Sequence, residues 1–301
     1  MSSHESTRAI LYALGANLGI AAAKGTAAVI TKSGSMLAET IHSLADCTNQ
    51  VLLLVGMKRS TMAADENHPL GYGKVVYFWS FIVAMLLFSM GGLFSIYEGI
   101  HKLHSPEPVK MVWVALLVLG FSIVLECFSL YGALVEIKKV RKQKKFFQWI
   151  KNTRNSELLV VLGEDSAAVL GLVTAFVFLM LAYIFDNPVF DAAGSISIGV
   201  ILIFVSFFLI IRMKKLLIGS SADPEIKEEL TKIILENKYV EEVYHLITIQ
   251  VGPYIMLACK LRLVSGSDFE KACENINELE KNIKSNFPEI KWSFIEPDIT
   301  D

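Results

Sequence analysis

Charge is in short supply in this chain. Of its 301 residues only 19% are Asp, Glu, Lys or Arg, while 53% are hydrophobic; an average soluble protein carries about 25% charge. A mean hydropathy of +0.49 is too high for one soluble core, and it excludes a disordered or fibrous chain. The net charge of −2 lacks the basic excess of a nucleic-acid binder, so no nucleic-acid partner is expected. Cysteine is sparse: the 4 thiols, Cys47, Cys127, Cys259 and Cys273, are scattered, with no CxxC. That excludes a disulfide framework and a cysteine zinc site, and they read as buried thiols in a reducing setting. HExxH, GxSxG and a GxGD-type aspartate pair are all missing. The chain therefore offers no hydrolytic machinery, and neither an enzyme nor a resident cofactor is expected. No cleavable leader is expected either, because residues 1–7 are polar and the apolar run after them carries no small-residue cleavage site.

Long apolar runs are what the chain has in plenty. A spanning helix needs about 20 residues, and six stretches qualify, at roughly 9–31, 36–57, 75–100, 111–134, 158–185 and 188–211. Thr31-Lys32-Ser33-Gly34, Pro106 with Pro108, and Asp186-Asn187-Pro188 punctuate them. Lys and Arg are lopsided about these runs. Fifteen fall on one side (Arg8, Lys58, Arg59, Lys74, the basic loop from Lys138 to Arg154, Arg212, Lys214 and Lys215) and three, Lys32, Lys102 and Lys110, on the other. The bias predicts both termini on the cytoplasmic or an equivalent side, in a bacterial inner membrane or an organelle membrane.

From about residue 216 the character changes. Asp223-Pro224 predicts a helix start, with a cap and a first-turn proline. Val243–Val251 and Tyr254–Val264 predict two strands joined at Gly252-Pro253. Asp268 is placed to cap a second helix, and Lys291–Glu296 reads as a third strand. The expected fold is an all-α six-helix transmembrane bundle over 1–215, followed over 216–301 by a small α+β domain. Its order αββαβ suggests two layers of ferredoxin- or metallochaperone-like topology.

Ionisable groups inside spans are costly and are functional candidates by default. Glu39, His42, Asp46 and Asn49 stand at offsets 0, 3, 7 and 10 in the second span, which puts them on one helical stripe. His42 and Asp46 are neighbours one turn apart, able to ligate one cation; the plainer alternative is a His–Asp pair packing two helices. In the fifth span Glu164 and Asp165 are adjacent within VLGEDSAAVLG. Neighbouring positions differ by about 100° around a helix, so one acid is expected to face the ion and the other a neighbouring helix or a proton path. His42, Asp46 and Asp165 supply three ligands, with Asn49, Glu164 or water as the fourth. A histidine with carboxylates suits zinc, and cobalt, iron or manganese less well. Asn17, Lys24, Glu98, Glu126 and Asp191 read as structural: Lys24 as the partner of Glu126 or Glu39, Glu98 and Asp191 as hydrated near the outer interface.

These residues resemble the cation diffusion facilitator family of metal transporters, and in particular the branch that contains a mitochondrial zinc exporter. The resemblance runs through HSLAD, ENHPLGYGK, YFWSF…GGLFSIYEGIHK, EDSAAVLG and DAAGSISIG. It implies a homodimeric metal/proton antiporter exporting divalent cations by alternating access; the rival readings are a proton-independent metal channel and a metal sensor. It also implies a four-ligand site made of one pair four residues apart in span two and another in span five. His42, Asp46 and Asp165 match three of these positions, and Val161 stands at the fourth. A second metal site in the loop after span two matches at Asp65 and His68, but Tyr72 replaces a histidine. The C-terminal domain, with His245 as its one histidine, is expected to dimerise without a metal cluster. The expected partners are therefore Zn2+ (then Co2+, Fe2+ or Mn2+), protons, the lipid bilayer and a second copy of the chain.

Overall fold

The computed structural model describes residues 3–106, 108–141, 145–264 and 268–300, with side chains of the first helix from Asn17 onward. Of the basic residues counted for orientation, Lys142, Lys144 and the side chain of Arg8 lie outside the described residues.

Among the described residues six helices run 27 residues or longer: α1 (Ser3–Thr31), α2 (Gly34–Ser60), α3 (Val75–His104), α4 (Val112–Val140), α6 (Ser156–Ile184) and α7 (Val189–Ile218). A short helix, α5 (Phe146–Asn152), precedes α6. Helices α3, α4, α6 and α7 are long and apolar enough to cross a membrane, which makes the chain a multi-pass membrane protein. Helix α2 has the length but carries the polar stripe and ends on Lys58 and Arg59.

Two compact units emerge. The first comprises Met1–Gly56, Trp79–Gln143 and Glu157–Met213. The second comprises Met57–Phe78, Lys144–Ser156 and Lys214–Asp301. Within the second unit the Tyr77 hydroxyl donates to the Gly252 carbonyl at 3.0 Å and Arg154 Nε donates to the Ser221 carbonyl at 2.7 Å. These bonds fasten its first two segments to the third.

In the first unit α3 is not a uniform α-helix. Residues Leu87–Leu93 (LFSMGGL) widen into a π-helical turn, a local form that recurs at functional sites. Just there the helix meets α7 backbone to backbone, and a Cβ at Gly199 would lie 2.6 Å from the Gly92 carbonyl oxygen. Small residues at this crossing let the two helices approach as membrane helices do.

The second unit has the expected order αββαβ: α8 (Pro224–Leu235), β1 (Val240–Val251), β2 (Tyr254–Leu263), α9 (Phe269–Asn286) and β3 (Ile290–Pro297). Strand β2 is central, antiparallel to β1 and parallel to β3. Asp223 caps α8 through the Glu225 N–H at 3.2 Å, and Asp268 caps α9 through the Lys271 N–H at 2.8 Å, each satisfying an orphan donor of its first turn. Leu230, Ile234, Leu257, Leu261, Leu279 and Ile283 fill the core between helices and sheet.

All four thiols are free, but the expectation that they are buried holds only for Cys47 and Cys259. Cys127 and Cys273 are exposed, Cys127 because it lies on an outward face of apolar α4, where a small apolar side chain needs no cover. Burial pushes the Cys259 thiol up to about 11. Only the thiolate reacts, so at pH ~8 Cys259 in the folded chain should alkylate about two orders of magnitude more slowly than an ordinary thiol with pKa ≈ 8.5. Its rate should rise with pH until about 11. Mass spectrometry of iodoacetamide-treated protein, with Cys273 as the internal reference, checks this; equal rates for the two would contradict the packing.

Candidate metal centre

The stripe on α2 faces inward. Glu39, His42 and Asn49 are fully buried, and His42 Nε2 stands 3.6 Å from Asp46 Oδ2. Opposite them α6 brings Glu164 and Asp165, and α4 brings Glu126 and Ser129. Asn17, Ser43, Asp46, Gln50, Glu126, Ser129, Glu164 and Asp165 line one cavity of ≈ 30 Å³. Its volume is on the scale of one water molecule or one small cation.

The sequence leads us to expect one of Glu164 and Asp165 to face the ion and the other a neighbouring helix or a proton path. Both acids border the cavity, and Glu164 also accepts from Asn49 Nδ2 at 2.6 Å. The longer Glu side chain covers the 100° step, so one residue bridges to α2 while still bordering the cavity. Asp165 Oδ2 accepts from the Ser129 hydroxyl at 3.1 Å.

Several buried atoms here lack a hydrogen-bond partner among the described residues: both ring nitrogens of His42, Asp46 Oδ1, Asn49 Oδ1 and Glu39 Oε1. Buried polar atoms are nearly always paired. These polar atoms without a hydrogen bond run along α2 toward a cavity edged with acids. Among the described residues no three His, Cys, Asp or Glu side chains are drawn tightly enough together to hold an ion as they stand. The donors instead surround a space into which they would have to close. Val161 brings no donor, and Asn49 and Glu164 are the groups nearest to the fourth position in chemistry.

Three polar residues read as structural have more specific places. Glu126 and Asn17 border the cavity itself, a placement that α1 and α4 settle by tertiary packing and that no spacing within one helix signals. Asp191 is not hydrated: it is 1% exposed. Its carboxylate accepts from the Ser33 hydroxyl (2.6 Å), the Gly34 N–H (2.6 Å) and the Ser35 N–H (3.3 Å), with Lys102 Nζ 3.7 Å away. It thus caps α2 from α7 and sets where the stripe begins.

In the loop after α2, Asp65 is engaged by its neighbours. Tyr72 donates its hydroxyl to Oδ2 at 2.6 Å, the His68 N–H donates to Oδ1 at 2.7 Å, and His68 Nδ1 stands 3.3 Å from Oδ1. The Tyr72 hydroxyl holds the Asp65 carboxyl below its ordinary range. Tyr72 thus ties the two ends of this loop together through Asp65. In the sheet unit Cys259 belongs to the apolar core.

Residues 10–218 match the model of the cation efflux transmembrane domain. Over 255 residues, 84% of this chain, it is 35% identical to the mitochondrial proton-coupled zinc antiporter of Xenopus laevis, of which it covers 45%. It is 33% identical to the human protein of the same name, covering 44% of it. It is 32% identical to metal tolerance protein C4 of Arabidopsis thaliana, covering 56%. The chain spans about half the length of these curated relatives.

Replacing Asp191 with Ala removes one acceptor from three buried donors at the start of α2, and each orphaned donor costs about 1–3 kcal/mol. The Asp191→Ala variant should therefore melt several degrees below the parent in detergent, followed by intrinsic fluorescence, with Asp191→Asn between the two. An unchanged Tm would show that α2 is not held from α7.

Proposed function

Because the chain belongs to the cation efflux (cation diffusion facilitator) family, we propose that it exchanges divalent metal ions, zinc foremost, for protons across a membrane by alternating access. The observation that carries this reading is the cavity edged by Asp46, Glu126, Glu164 and Asp165 beside His42, whose ring makes no hydrogen bond among the described residues. Four acids around so small a space are costly without a cation to compensate them.

The physics of exchange follows from the donor set. A divalent ion cannot shed its hydration shell into hydrocarbon about 30 Å thick, so protein oxygens and an imidazole nitrogen must replace the lost waters. His42, Asp46 and Asp165 are the proposed ligands, with Asn49 Oδ1 or Glu164 completing the shell. The imidazole has to be neutral and the carboxylates charged to bind metal, so binding releases protons and metal release takes them up. If both the loaded and the protonated carrier change sides, a proton gradient drives the metal uphill. Linkage alone gives antiport, and no covalent step is needed.

The proposed topology has six spans, α1 and α2 joining the four apolar helices, with both termini on the cytoplasmic or equivalent side. The lysines and arginines of the loops support that orientation. The names of the relatives support zinc and protons as the exchanged ions. A homodimer is proposed on the family resemblance alone.

Zinc flux in proteoliposomes with an imposed proton gradient tests the proposal. Uptake should saturate with zinc and collapse when the gradient is removed; flux indifferent to protons would mean a channel. Removing a ligand from His42, Asp46 or Asp165 should abolish transport (His42→Ala, Asp46→Asn, Asp165→Asn), and His42→Asp should shift preference toward manganese and iron by removing the nitrogen donor. Transport retained in Asp46→Asn would overturn the site.

A further inference from the structure

Lys24 takes no part in the exchange described above, yet it stands beside the machinery. It lies on α1 and is 0% exposed. Its Nζ donates to the Ser43 hydroxyl at 2.7 Å and is 3.3 Å from Glu39 Oε2. Ser43 borders the cavity of Asp46, Glu164 and Asp165. Glu39 is also 0% exposed, and its second oxygen, Oε1, has no hydrogen-bond partner among the described residues. That oxygen is pressed against Gly171 of α6, where a Cβ would lie 2.6 Å from it; the glycine leaves room for the carboxylate and little else. Glu39 precedes His42 by one turn on the same stripe.

Stability does not account for this pair. A buried ion pair gains little over apolar packing of the same volume once desolvation is counted, and lysine is among the costliest residues inside a span. The half-satisfied carboxylate adds to that cost. What the arrangement does provide is an acid with one oxygen and a neighbouring imidazole with both nitrogens outside any hydrogen bond among the described residues, and a hydroxyl, all on α2. These are hard and borderline donors of the kind that hold a divalent cation.

We infer that Glu39 is a second cation position, one helical turn from His42, and that the Lys24 ammonium is its built-in occupant, displaced while a divalent ion passes. This deepens the exchange reading and rests on it for the direction of passage along the α2 stripe. A tethered cation cannot leave with the metal. It yields Glu39 as the ion arrives and returns once the ion has gone, so the position is never strong enough to trap its cargo. Without the ammonium, Glu39 and Ser43 are left open to the metal and the position becomes a trap.

The test is titration of the full-length detergent-solubilised protein with zinc alone, followed by flux in proteoliposomes. Lys24→Met should bind zinc about ten- to a hundredfold more tightly, the equivalent of one charge-assisted hydrogen bond no longer competing. Its half-saturating zinc concentration should fall together with its maximal rate. Neutralising the acid as well, in Lys24→Met/Glu39→Gln, should return the Kd toward the parent value, and Lys24→Arg, which keeps the cation, should stay near it. A Kd unchanged or weakened in a folded Lys24→Met variant, or tightening that persists in the double variant, overturns the inference. Should Lys24→Met fail to fold, Glu39→Gln alone decides: it leaves the ammonium unpaired beside the site and should weaken zinc binding about tenfold or more, and an unchanged Kd overturns the inference. Loss of proton-coupled flux in the parent protein, with these binding shifts intact, would sink the exchange reading and leave the cation position standing.

Discussion

Acidic side chains shut away from water need something positive or hydrogen-donating beside them, and that requirement organises the helical unit. Asp191 takes two amide hydrogens, a hydroxyl and Lys102. Glu164 takes the Asn49 amide, Asp165 the Ser129 hydroxyl, and Glu39 one face of Lys24. Each answer comes from a different helix, so the same bonds that quiet the acids also fix the bundle. The answers run out at Asp46 Oδ1, Asn49 Oδ1, the second oxygen of Glu39 and the ring of His42, which have no hydrogen bond among the described residues. An interior that satisfies most of its polar groups and leaves a connected few unsatisfied is suited to holding a guest cation rather than to maximal stability.

Under the proposed exchange, helices have to shift without exposing backbone to lipid. The π-helical turn at Leu87–Leu93 is a place where α3 already departs from its regular ladder. It sits where α3 and α7 pack backbone to backbone through Gly92 and Gly199, flanked by Ile96 and Ile203. The same helix α7 carries Asp191 at its start and so grips the beginning of α2. A displacement of α7 is therefore felt at the head of the stripe that bears His42 and Asp46. Nothing comparable is needed in the sheet unit, whose core is closed and apolar.

The periodicity of α2 was readable because Glu39, His42, Asp46 and Asn49 recur at helical spacing within one helix. The caps at Asp223 and Asp268 were readable because capping is local chemistry. The strands were placed within a few residues by their β-branched content. What the sequence hid were contacts made between helices. Glu126 and Asn17 reach the cavity only through the packing of α4 and α1, and the sequence offered Lys24 both Glu126 and Glu39 as partners, where the fold pairs it with Glu39. Asp191 looked like a surface acid because its partners, Ser33 to Ser35, lie more than 150 residues earlier. Glu164 reaches a neighbouring helix through Asn49 of α2 while both acids border the cavity, so the step of about 100° alone does not divide their roles.

The central claim is that one imidazole and at least two carboxylates close on a single metal ion at this cavity. X-ray absorption at the zinc edge of the zinc-loaded protein tests it most directly. The account predicts a shell of oxygen and nitrogen at about 2.0–2.2 Å, with the outer-shell scattering of one imidazole ring, lost in His42→Ala. A sulfur shell near 2.3 Å, or an imidazole signal that survives the loss of His42, would contradict it.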